Sequence, residues 1–175
     1  MRLAVWVVVL ALTACDPGDD VDVDPADATA RLEAQRTEVR DLVATLATKA
    51  AAVLDGRVSA ATGHSEGCAS VFPEGHRSFR YLGSARVEAG PVVARPYLDA
   101  LGPALEEAGL TDATLAERPG GRTLDGTRGG LEVRWSELPG QGDYVLLDVS
   151  GPCVDVPEDE RAEWEGRPDP TPIVD

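Results

Sequence analysis

The stretch from Asp24 to Gly56 constrains the fold of this chain more than any other. Leu32, Val39, Leu42, Val43, Leu46, Ala50 and Val53 recur at steps of three, four or seven, a spacing that lines one face of an α-helix. Glu33, Arg36, Arg40 and Lys49 take the opposite face. Asp24 can accept from the orphan backbone donors as N-cap, Pro25 fits the first helical position, and Asp27 suits the positive end of the dipole. Gly56 supplies the usual C-terminal stop. A helix of about thirty residues with one apolar stripe must bury that stripe. The expected cover is the chain's own sheet, with a coiled coil between two copies as the alternative.

The remainder supplies such a sheet. Arg57 to Thr62 is a weak strand, and Gly63 to Arg77 reads as a loop rich in Gly, Ser and Glu that carries His64, Cys68 and His76. Ser78 to Glu88 alternates: Phe79, Tyr81, Ala85 and Val87 point one way, Arg80, Leu82, Arg86 and Glu88 the other, with a bulge expected at Gly83. A second helix is expected from about Arg95 to Ala108, with Tyr97, Leu101, Leu105 and Ala108 on one face. Pro103 inside it predicts a kink or two short helices. Thr111 to Gly130 reads mostly as a glycine-rich loop with a brief strand near Leu115. Leu131 to Leu138 and Tyr144 to Ser150 then form a hairpin around Pro139-Gly140-Gln141-Gly142, with Leu131, Val133, Trp135, Val145, Leu147 and Val149 inward. The order of elements predicts an α+β fold: a two-layer sandwich in which an antiparallel sheet of about four strands carries two helices on one face.

Ahead of this domain, Arg2 precedes an apolar run from Leu3 to Ala14, too short to span a bilayer, for which roughly twenty residues are needed. A cationic start, such a run and a small residue before the cut read as an export signal. The run closes on Leu12-Thr13-Ala14-Cys15, and with that tetrad the sequence resembles a bacterial lipoprotein precursor. The resemblance implies a diacylglyceryl group on the Cys15 thiol, cleavage between Ala14 and Cys15, and an anchor on the extracytoplasmic side of the cell membrane. The expected organisation is a signal peptide at 1–14, the lipidated cysteine and an acidic tether at 15–25, one domain at 26–156, and an acidic, proline-rich disordered tail at 157–175. With a cysteine after the first strand and another after the last, the domain resembles small actinobacterial lipoproteins of unassigned function. The single lysine against fifteen arginines fits the coding bias of a GC-rich genome.

Removing the first 14 of 175 residues leaves 161, enough for one domain with a core. The formal net charge is −15, and −16 once Arg2 leaves with the signal. So acidic a surface disfavours nucleic acid, whose phosphates demand Lys and Arg, and disfavours attraction to anionic headgroups. Membrane attachment therefore falls to the lipid. After Cys15 only Cys68 and Cys153 remain. In an exported protein two cysteines usually pair, and this pair is expected to do so.

Little in the chain points to catalysis or to a cofactor. His64, Cys68, His76 and Cys153 could be imagined around zinc, but their gaps lack the tight pairing of such sites, and a disulfide accounts for the cysteines. Ser65 and Ser70 lie near His64 without an elbow or triad signature, and Glu66 and Glu74 are one of many carboxylate pairs. The alternative to a binding module is thus an envelope enzyme or metal-binding protein using the His64/Cys68/His76 loop. The positive signal is the outward side of the alternating strands. Arg80, Leu82, Arg86, Arg134, Tyr144 and Leu146 share it, an unusual patch on so acidic a chain, and Arg and Tyr are common interface anchors. Glu88, Glu132 and Asp148 share the same side and could neutralise the arginines. The expected partner is an envelope protein or polymer.

Overall fold

A computed structural model describes residues 25–68, 77–140, 142–165, 167 and 171–173. Cys15, the tether up to Asp24, and Ser70, Glu74 and His76 lie outside the described residues. The apolar period becomes α1, Pro25–Val53, 29 residues and so about 43 Å long. Its stripe of Leu32, Val39, Leu42, Val43, Leu46, Ala47 and Ala50 is buried. Two long strands follow, β1 (Arg57–Gly67) and β2 (Ser78–Glu88), paired antiparallel. The chain then crosses through α2 (Tyr97–Glu107) and enters a four-strand meander: β3 (Thr111–Arg118), β4 (Gly121–Arg128), β5 (Leu131–Glu137) and β6 (Tyr144–Ser150). The meander ends with β6 against β2, which gives the order β3-β4-β5-β6-β2-β1. Past β6, the short β7 (Val154–Asp155) pairs with the start of β2. After α3 (Arg161–Glu165), β8 (Thr171–Pro172) lies on the outer edge of β1.

The fold is therefore α+β with an antiparallel sheet, but the sheet has eight strands and not about four. The additional strands lie where hydrophobic alternation is weakest. In β3 and β4 only Leu124 is fully buried, so edge strands that send few side chains into the core look like loop. The turn chemistry was the better signal. Gly129 and Gly130, both at positive φ (61° and 86°), make a two-residue hairpin between Arg128 and Leu131. β1 likewise runs five residues past Thr62, held by its register on β2 despite its small side chains.

Gly83 marks no bulge; the irregularity lies between Val58 and Ala60. A Cβ on Gly83 would stand 2.8 Å from a Val43 methyl and 2.9 Å from one of Val39. The glycine is what lets α1 lie close on the sheet. Pro103 does not split α2, which is one helix; Leu98 and Leu101 before it and Leu105 after it are buried and hold both halves to the core.

The tail differs most from expectation. Trp164 is 4% exposed and joins Ala28, Leu32, Phe79, Val154 and Val156 in a second apolar cluster beneath the N-terminal half of α1. Thr29 donates to the Glu160 carboxylate at 3.1 Å. Acidity and proline content suggested disorder for 157–175, but one well-placed indole over an open end of the core is enough to seat the first part of that segment. Cys68 and Cys153 form a disulfide, with Cα atoms 6.2 Å apart. It ties the end of β1 to the β6–β7 connection and so straddles β2.

Candidate functional site

The helices cover one side of the sheet, and the other carries the residues singled out from alternation. Register places Thr62, Ser84, Asp148, Arg134 and Asp125 side by side, one each from β1, β2, β6, β5 and β4. The next row holds His64, Leu82, Ser150, Glu132 and Thr127, and the next Glu66 and Arg80. Asp148, Arg134 and Asp125 of the first row, Leu82, Ser150, Glu132 and Thr127 of the second, and Glu66 and Arg80 of the third line a trough of about 740 Å³.

Arg80, Leu82 and Arg134 line the trough; Arg86, Tyr144 and Leu146 lie beyond it, toward the far end of β2. Each arginine is engaged. Arg80 meets Glu66 through Nε at 2.8 Å and Nη2 at 2.7 Å. Arg134 donates from Nε to Asp125 Oδ1 at 2.6 Å, while Arg118 on β3 holds Asp125 Oδ2 at 3.3 Å. The hydrogen bond to Asp125 pushes the Arg134 pKa up from its already high value, aided by the charges of Asp125, Asp148 and Glu132 and opposed by burial. Arg86 stacks 3.9 Å over the Tyr144 ring and sits 3.7 Å from Glu88. Of the acids expected to neutralise this face, Glu88 does so; Glu66 and Asp125 are the other direct partners. Both were missed because they lie in segments read as loop, although His64 and Glu66 continue the outward period of β1 and would have exposed the longer strand.

With the arginines paired, acid remains in excess. Glu66, Asp112, Asp125, Glu132 and Asp148 line the trough against two guanidiniums. Asp148 takes a 2.7 Å hydrogen bond from Ser84 Oγ. The surface offers carboxylate oxygens at its floor and a Leu82 side chain between them, a lining suited to a partner rich in donors.

Of the other candidates, Ser70, Glu74 and His76 lie outside the described residues. In the disulfide Cys68 has no thiolate to give a metal, and no three His, Cys, Asp or Glu side chains among the described residues are grouped to hold an ion. His64 and Ser65 both border a second cavity of about 360 Å³ beside Tyr81 and Trp164, and His64 Nε2 lies 3.9 Å from Glu66 Oε2. Glu66 is committed to Arg80. No protein-family model matches this chain, and none of the curated proteins or solved structures compared is similar to it.

Proposed function

We propose that this protein is a lipid-anchored binding module of the bacterial cell envelope, held on the extracytoplasmic side through Cys15, and that its helix-free sheet face engages an envelope protein or polymer without chemistry of its own. The observation that carries the reading is the trough. It is a broad, mixed polar and apolar surface on the sheet, with both of its arginines held by cross-strand carboxylates before any partner arrives. Fixed charges cost little ordering on binding, which favours recognition. The lipobox at Leu12–Cys15 supports the anchor, and the Cys68–Cys153 disulfide suits an oxidising compartment. The acid excess favours a partner presenting ammonium, guanidinium or hydroxyl groups.

Crosslinking in the native envelope, followed by identification of what is attached, tests this. Glu132→Gln with Asp148→Asn should reduce recovery of the crosslinked partner, because two of the trough's carboxylates are lost, while melting shifts little, since exposed polar pairs contribute only about 0.2–1 kcal/mol each. Cys15→Ser should release the chain from detergent-extracted membranes. Unchanged partner recovery in the double variant overturns the assignment to this face, and membrane retention of Cys15→Ser overturns the anchor.

A further inference from the structure

The outer edge of β1 is eleven residues long, and among the described residues only Thr62 and Gly63 pair outward, with Pro172 and Thr171 of β8. A bare strand edge is a template for another strand, and here the chain's own segment shows how an extended peptide sits. Ile173 N–H donates to Ala61 O at 2.8 Å, and Thr171 Oγ1 donates to Gly63 O at 3.2 Å. Antiparallel alternation then turns the Pro172 nitrogen away from β1, so proline loses no ladder hydrogen bond at that position.

Side chains from the core side read the segment as well. Arg40 on α1 donates from Nη2 to Pro172 O at 2.6 Å and from Nη1 to Thr171 Oγ1 at 3.0 Å. Tyr81 OH lies 3.4 Å from the same hydroxyl. Ile173 packs against the main core, its Cδ1 3.4 Å from where a Cβ on Gly83 would stand, beside Val39 and Val43. It sits beside the point where Val39 and Val43 close down on the side-chain-free position 83. The hydroxyl and the branched aliphatic each meet a distinct feature of this edge, and the proline between them costs no ladder hydrogen bond.

The hold is also slight. Thr171 and Pro172 are exposed and Ile173 half-buried, whereas Trp164, the tail's firm attachment, belongs to the separate cluster with Phe79. Release of 171–173 leaves that cluster intact.

We propose that the β1 edge beside Arg40 is a docking site for an extended peptide of a partner protein carrying a hydroxyl residue, a proline and a branched aliphatic residue in succession, and that residues 171–173 are an internal occupant which such a peptide displaces. Recognition is by strand addition, with the backbone giving affinity and the Arg40 and Gly83 features giving specificity. The internal segment competes at the effective concentration of a short tether, of millimolar order, and so sets the threshold for the external one.

The probe is a labelled Asp-Pro-Thr-Pro-Ile-Val-Asp peptide, copied from 169–175, titrated against the full-length chain by fluorescence anisotropy. Ile173→Asp should bind it at least ~10-fold more tightly than the unmodified chain, because the internal competitor is weakened. Adding Arg40→Ala, or replacing Ile by Asp in the peptide, should remove that binding. Thr171→Ala, which deletes one hydroxyl, should fall between the two and serves if Ile173→Asp melts early. Equal binding by all variants, binding indifferent to Arg40, or no saturable binding by either opened variant overturns the proposal. So does dimerisation of the unmodified chain through this edge without peptide binding to the opened monomer.

Discussion

Gln35 of α1 accepts the backbone N–H of Tyr81 at 2.6 Å and donates to the carbonyl of Pro152 at 2.7 Å. It stands where β6 leaves β2 and β7 has not yet begun, and so completes a ladder that the strands leave open. Its own exposure is 6%, on the otherwise apolar stripe between Leu32 and Val39. Gln35→Leu should lower stability by about 2–4 kcal/mol, because two buried polar groups lose their partner. Thermal unfolding should show a drop of roughly 5–15 °C. A neutral outcome would mean that water replaces both contacts.

Glu137, 5% exposed, reaches from the end of β5 to the start of α2, where its Oε2 accepts Tyr97 N–H at 2.9 Å and Leu98 N–H at 3.3 Å. The N-cap residue of α2, Pro96, offers no side-chain cap, so the sheet supplies it. Glu137→Leu should cost about 1–2 kcal/mol or more, and Glu137→Gln, which keeps one acceptor, should cost less. Urea unfolding of the two variants checks the order.

Trp164→Ala empties the centre of the second apolar cluster, for which about 3–5 kcal/mol is expected. Deletion of 157–175 should destabilise at least as much. Equal melting of the truncated and full-length chains would show that the segment contributes nothing.

Reduction of Cys68–Cys153, which closes 85 residues, should lower stability by about 4–5 kcal/mol on the chain-entropy account. Alkylation of the folded, unreduced protein should label neither cysteine.

The hydrogen bond from Arg57, at 2.8 Å, holds the Glu88 carboxyl below its ordinary value of 4.5, with the charges of Arg57 and Arg86 adding to it and desolvation opposing it. A lowered folded pKa means that the contribution is complete above the unfolded value and is lost as pH falls through the folded one. NMR titration should find Glu88 ionising below 4.5, and Arg57→Ala should move it upward toward that value.

The sequence by itself determined the elements whose own side chains form the core. The 3.6-residue period of α1 from Leu32 to Ala50 and the alternation of Phe79 to Val87, Leu131 to Trp135 and Val145 to Val149 survive, because their apolar residues are buried by their own pattern; Val53, the last of the expected stripe, is only half-buried. The disulfide followed from the count of cysteines. Only the tertiary structure decided β3, β4, the second half of β1, and the seating of Trp164. In these segments neighbours supply the hydrogen bonds and the cover, and a local window of sequence contains neither. The same reason hid Gln35, Glu137 and Arg40: each is a polar side chain whose partners lie 39 to 132 positions away along the chain, brought close by the fold. On the outer face the arginines were legible by alternation, but their pairing with Glu66 and Asp125 waited on the register of strands that sequence read as loop.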